Sequence, residues 1–313
     1  MGPPPATETG VREDLAVLAV AAAVLFWGCS SIAIKLASTT GLITSFYRLW
    51  FAIPLLWTIG LGTPGIRRGF DGAWTRASLG GGTLFGIHQL LFFNSLKMTS
   101  VANVTIIGAL QPALVLLVGA RLFGETTTLR AVVWSLLALA GTAVVIVGSA
   151  GTPVWSPLGD TVAVANLFAF TAYFLFSKRI RRDVGASQYV VGMTTVAGLV
   201  VAAASLLTGQ DFTAPTGRDW PILLFIAVFP GTLGHFLTNW AHRHTSAFLM
   251  SIMLLAVPVL ASSGAAVFLK EPLGPPQIVG GGIVLLSIGM VVRSTRVDAR
   301  EVLAESAAET DAP

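Results

Sequence analysis

The sequence predicts an all-α integral membrane protein, with ten transmembrane helices arranged as two five-helix repeats of inverted topology. Three observations lead there. The 313 residues are 54% hydrophobic and only 11% charged, too little polar surface to clothe a soluble globule. Ten apolar runs of near-spanning length follow one another. A helix-length stretch of the first half recurs in the second at a fixed offset.

A spanning helix needs about 20 mostly apolar residues. Such runs cover Leu15–Ala37, Ile43–Leu61, Ser78–Leu96, Val101–Phe123, Leu129–Val147, Gly159–Phe176, Tyr189–Leu207, Pro221–Trp240, Ala247–Leu269 and Pro276–Val292. Connections of a few residues between several of them imply tight antiparallel neighbours. The organisation is then a Pro-rich, disordered cytoplasmic tail over 1–14, a first repeat over 15–148, a second over 158–293, and a polar cytoplasmic tail over 294–313 that starts helical. No small-residue cleavage site follows the N-terminal stretch, so the first run reads as a retained helix.

Lys and Arg resist translocation and collect in cytoplasmic loops. With the N-terminus inside, 14 of the 19 basic residues fall in cytoplasmic segments, three (Lys97, Arg218, Lys270) fall outside, and Lys35 and Arg48 lie within or at the ends of the first two runs. Both termini are therefore predicted to be cytoplasmic, in a multi-pass protein of the cell membrane. The basic residues form no stripe that would grip nucleic acid. Cys29 is the only cysteine, which rules out an internal disulfide and a thiolate metal cluster. Nothing implies a cofactor, and no GxxxxGK[ST] motif is present to bind ATP. The partners implied are the lipid bilayer and a small molecule.

Residues 99–125 and 245–271 superpose at an offset of 146 without a gap: Thr99-Ser100 on Thr245-Ser246, Pro112 on Pro258, Glu125 on Glu271. Five helices per half is an odd number, so the second copy enters the membrane from the opposite side. Such inverted repeats suit alternating access around a midplane site. The order and spacing of Trp27-Gly28, Lys35, Arg48, Pro112 then Glu125, Pro258 then Glu271, and Gly280 resemble the EamA-type members of the drug/metabolite transporter superfamily, over residues 15–293. Trp134 and Ser287 stand where that family usually has glycine. The resemblance implies ten helices as two five-helix units, and export or exchange of amino acids, related metabolites, sugars or drugs.

Candidate site residues follow from polarity inside apolar runs. A cation at the bilayer centre costs roughly 2.5–3.5 kcal/mol and normally faces a cavity or partner. Lys35 shares a helical face with Ser31 and Trp27, a wall suited to a carboxylate; the alternative is that Lys35 snorkels to the headgroups and Arg48 holds backbone carbonyls. Asn103 and Gln111 in the fourth run, Asn166 and Tyr173 in the sixth, and His235 and Asn239 in the eighth share faces that line a cavity or join helices. His88 and His235 are the titrating groups available for proton coupling. No Asp or Glu lies mid-run, so Glu125 and Glu271 are expected to cap helices or pair with neighbours such as Arg121 or Lys270. Pro112, Pro258 and Pro230 are expected to kink their helices or act as hinges. Gly280-Gly281-Gly282 favours close helix contact or a homodimer surface.

The function implied is a secondary transporter that moves a zwitterionic or anionic metabolite, with export as the expected direction; the alternatives are efflux of hydrophobic cations and a membrane-embedded enzyme. Against an enzyme stand the absence of paired intramembrane acids, of a His-Glu metal motif and of a Ser/Lys or Ser/His arrangement.

Overall fold

The computed structural model describes residues 6–63, 66, 71–125, 127–149, 156–268 and 273–310. Its regular elements are all helical: α1 (Ala6–Leu36), α2 (Gly41–Gly60), α3 (Gly72–Met98), α4 (Val101–Gly108), α5 (Gln111–Phe123), α6 (Leu129–Ser149), α7 (Pro157–Ile180), α8 (Ala186–Leu207), α9 (Asp219–Ile226), a π-helical segment (Ala227–Gly234), α10 (His235–Ala241), α11 (Ala247–Met253), a 3-10 turn (Leu254–Ala256), α12 (Val257–Phe268) and α13 (Pro275–Thr310).

Among the described residues, eight segments are long and apolar enough to cross a membrane: Arg12–Leu36, Gly41–Gly60, Leu129–Gly148, Pro157–Ile180, Ala186–Leu207, Asp219–Ala241, Ala247–Gly264 and Pro275–Ser294. Two of the ten sequence runs fall outside this set. The third lies in α3, a 27-residue helix whose apolar character is diluted by three consecutive glycines and by His88, Gln89 and Asn94. The fourth is divided into α4 and α5 by a turn at Ala109-Leu110. Both chain ends are more helical than their sequence suggests. α1 starts at Ala6, inside the stretch expected to be disordered, because no proline follows Pro5 until Pro54. α13 runs without a break from its apolar part through the polar stretch to Thr310.

The internal repeat is visible in backbone detail. Ser100 and Ser246 adopt the same extended conformation (φ −71°, ψ 150° and φ −71°, ψ 149°), and each side chain caps its helix by accepting from the third residue on, Asn103 N–H and Leu249 N–H. Nine residues after Ser100 the helix breaks at Ala109-Leu110, and the 3-10 turn Leu254–Ala256 lies at the equivalent place in the second half. Pro112 and Pro258 each occupy the second position of the helix that follows the break, where a missing N–H leaves no intrahelical bond unmade. The kinks expected at these prolines are therefore interruptions just ahead of them.

The two halves interlock. α3 lies against α7 and α8, α1 against α10 and α12, and α6 against α13. Small residues set the closest approaches. A Cβ on Gly280 would stand 2.7 Å from the Gly141 carbonyl oxygen, and one on Gly141 would stand 2.9 Å from that of Gly280. The α6–α13 contact is thus backbone against backbone, and Gly280 serves packing within the chain. Gly280→Leu is expected to cost about 3 kcal/mol or more, seen as loss of monodisperse protein in detergent. A Cβ on Gly282 would meet nothing within 4 Å, and Gly282→Leu is expected to leave yield and melting temperature unchanged.

Candidate functional site

Residues from α1, α2, α3, α4, α5, α7, the π-helical segment, α10, α11 and α12 enclose a cavity of about 180 Å³, room for on the order of a dozen waters. Arg48 enters its wall from α2 and is 3% exposed. Its Nη1 donates to Gln89 Oε1, and its guanidinium carbon lies 5.4 Å from the Phe85 ring centre and 5.9 Å from that of Phe93. Residues 85, 89 and 93 are successive i, i+4 positions of α3, so one face of that helix supplies the hydrogen bond and both ring contacts of the arginine. Among the described residues no carboxylate pairs with Arg48. Gly231 makes room for it: a Cβ there would lie 3.2 Å from Arg48 Nε and 2.7 Å from the Ile226 carbonyl oxygen.

Two histidines line the same cavity. His88 Nδ1 is 2.7 Å from Asn166 Oδ1, a hydrogen bond that fixes the orientation of the ring. Asn239 Nδ2 donates to Tyr173 Oη at 3.0 Å, and that hydroxyl lies 3.4 Å from His235 Nδ1. The imidazoles are held by rings: His88 against Phe170 at 4.7 Å, His235 against Phe85 at 4.6 Å and Trp27 at 5.0 Å. Trp27 Nε1 donates to the Pro230 carbonyl at 3.0 Å, which pins α1 to the π-helical segment. A Cβ on Gly234 would stand 2.7 Å from that indole nitrogen, so glycine is required for the approach.

The cavity wall therefore brings together Trp27, Arg48, His88, Gln111, Asn166 and His235, with Pro112, Pro230 and Pro258. Tyr173 and Asn239 stand behind it as supports of His235. The wall proposed from Lys35 does not form there. Lys35 is in the last turn of α1 and donates to the Thr99 carbonyl at 3.1 Å, while Lys97, ending α3, donates to the Ala37 carbonyl at 2.6 Å. The two lysines exchange caps on each other's helix ends. Asn103 is also drawn away from the cavity, bonding Asp160 Oδ1 at 2.9 Å and Thr99 Oγ1 at 3.2 Å. The Ser31 side chain and Glu271 lie outside the described residues. Glu125 accepts from Ala247 N–H at 2.9 Å and Phe248 N–H at 3.3 Å, with Lys178 Nζ at 3.8 Å. It caps α11 in the opposite half, and among the described residues its basic neighbour is Lys178; Lys270 lies outside them. Beyond the membrane segments, His242 is buried against Phe174 at 4.6 Å, and burial together with the charges of Lys178 and Arg181 holds it neutral, well below its ordinary pKa. Among the described residues no three His, Cys, Asp or Glu side chains converge on a possible metal position.

Gln89, Phe93, Ser30 and Ser251 belong to the lining and escaped the sequence reading. The signal for the first two was present in the i, i+4 series with Phe85. Ser30 and Ser251 carried none, since lone serines in apolar helices usually bond their own backbone, as Ser251 does to the Phe248 carbonyl.

The model of the EamA-like transporter family matches residues 14–147 and again residues 157–293. The chain is 26% identical over 254 residues to the aromatic amino acid exporter YddG of Ancylobacter novellus, covering 77% of this chain and 84% of that protein. It is 26% identical over 219 residues to an uncharacterized transporter of Archaeoglobus fulgidus, covering 67% and 75% of the two. A crystal structure matches with a TM-score of 0.75 at 19% identity, covering 88% of this chain and 96% of that one, a likeness of fold alone. Apolar helices throughout and two consecutive family matches make this a multi-pass membrane protein, and the chain belongs to the EamA-like transporter family.

Proposed function

We propose that the protein is a secondary exporter of amino acids or closely related carboxylate-bearing metabolites, working by alternating access around the cavity. Membership of a transporter family, matched once in each half of the chain, is the observation that carries this reading. The substrate class is supported by Arg48, a cation in the cavity wall with no carboxylate partner among the described residues, and by the relative that is named an aromatic amino acid exporter. Ten membrane passes result if α3 and the α4–α5 pair each cross, which makes two five-helix units of opposite orientation. The matched breaks ahead of Pro112 and Pro258 support that symmetry. Lys178 with Glu125 at one end of the bundle, and Lys35 with Lys97 at the other, fit the basic-residue assignment with both termini on the cytoplasmic side of the cell membrane.

The test is a thermal-shift screen of detergent-purified protein against amino acids, sugar phosphates, nucleosides and hydrophobic cations, followed by counterflow in proteoliposomes with each hit. A bound ligand raises the melting temperature by mass action. Shifts and counterflow with amino acids are the expected result. The aromatic lining of Trp27, Phe92, Phe93 and Phe170 favours efflux of hydrophobic cations as the second reading, and hits confined to such cations would replace the first. Ligand-dependent formation of a new chemical product would replace both with an enzyme.

A further inference from the structure

We infer that Gln111 reads an acceptor on the substrate, and that it does so from one side only, so that the cavity takes its ligand in a single orientation with the carboxylate end toward α2, α3 and α5. The inference deepens the transporter reading and rests on it.

Gln111 opens α5 immediately after the break at Ala109-Leu110, and it is 2% exposed. Its amide nitrogen is buried without an acceptor, although its side chain forms part of the cavity wall. Buried amide donors in folded proteins are nearly always satisfied, and an exception in a ligand-sized cavity points to a ligand group that completes it. The terminal torsion of glutamine is soft, so a small rotation turns the N–H₂ toward an acceptor brought into the cavity. A substrate carboxylate provides that acceptor, and the guanidinium of Arg48 in the same wall provides its charge.

The sidedness follows from the repeat. At the offset of 146 the counterpart of Gln111 is Val257, which also lines the cavity. The break of the first half contributes an amide, and that of the second contributes Leu254, Leu255, Val257 and Pro258. Arg48, the cation of the cavity wall, stands on the same first-half side as Gln111, with Gln89 as its partner. The second half adds Asn166, His235 and Ser251 to the lining, but the guanidinium and the unpartnered amide donor both come from the first half, so the pseudo-symmetric scaffold offers a carboxylate seat on one side only.

The experiment compares wild type, Gln111→Met and Gln111→Met/Val257→Gln in the intact, detergent-purified chain, with and without L-phenylalanine, 3-phenylpropionate (no ammonium) and phenethylamine (no carboxylate). Removing an unsatisfied buried donor is expected to raise the ligand-free melting temperature by roughly 2 °C. The same change is expected to weaken binding of the two carboxylates by about fivefold or more, leave phenethylamine unaffected, and not be reversed by Val257→Gln. A lower ligand-free melting temperature would show that Gln111 is bonded within the protein and overturn the inference, as would unchanged carboxylate affinity. Restoration by Val257→Gln would overturn the sidedness. If wild type shifts with none of the three compounds, the substrate class proposed above and the carboxylate assignment fall together, while the ligand-free melting temperature still decides whether the amide is an orphan.

Discussion

Arg48→Met is expected to lower affinity for a carboxylate-bearing substrate by roughly ten- to a hundredfold, the worth of a charge-assisted hydrogen bond, and to stop transport at substrate concentrations near the wild-type Kd. The protein is expected to remain folded. Arg48 is held by one amide oxygen and the faces of two rings, so no carboxylate is stranded when the charge is removed. The methionine keeps most of the volume between Phe85 and Phe93. Loss of the bond leaves Gln89 Oε1 unpaired, but it also removes a desolvated charge, and these effects oppose each other. Arg48→Lys keeps the charge without the planar fork and is expected to fall between the two. Isothermal titration checks the affinities and counterflow checks transport. Affinity within about twofold of wild type in Arg48→Met would reduce Arg48 to a structural cation.

The outline of the molecule was legible from hydrophobicity and from the 146-residue offset, because both depend on local chain properties. The offset carried detail as well: the Ser100 and Ser246 caps and the two breaks lie where it places them. Depth along a helix was harder to read. Trp27, Ser31 and Lys35 share a face by spacing, but α1 ends at Leu36, so the lysine reaches a neighbouring helix end while Trp27 faces the cavity. Periodicity gives the direction of a side chain and not its height relative to the other helices. The π-helical segment was not legible, since its register depends on partners distant in sequence. Trp27 takes the Pro230 carbonyl, and Gly231 and Gly234 admit Arg48 and the indole. Proline and glycine at 230 and 231 signalled an irregularity without its kind. The first half keeps an unbroken α3 over the equivalent positions, so the repeat gave no warning. Glu125 was legible as a helix cap, but its choice of α11 is decided by how the halves interlock.

Pro112→Ala and Pro258→Ala are expected to slow transport much more than they weaken binding. Each proline follows a break whose residues line the cavity, Gly108 and Ala109 in one half and Leu254 and Leu255 in the other. Proline cannot donate to the carbonyl four residues earlier, here Gly108 or Leu254, so the sequence holds each helix in two parts. Alanine supplies that N–H and lets the helix close across the break, which favours one rigid rod over two segments able to move separately. If exchange between inward and outward states bends the chain at these two places, stiffening one slows turnover and stiffening both slows it most. Transport in the double variant is expected to fall by about tenfold or more, with substrate Kd held within about twofold, and the melting temperature to stay level or rise as the new hydrogen bonds form. A structural kink predicts the opposite combination, with a lower melting temperature and normal turnover in the protein that remains folded. Because the two sites are related by the repeat, single variants provide an internal check. A hinge used in both halves makes each single variant slow, whereas a hinge confined to the second half leaves Pro112→Ala at the wild-type rate and assigns the motion to the wall that carries Val257 and Pro258.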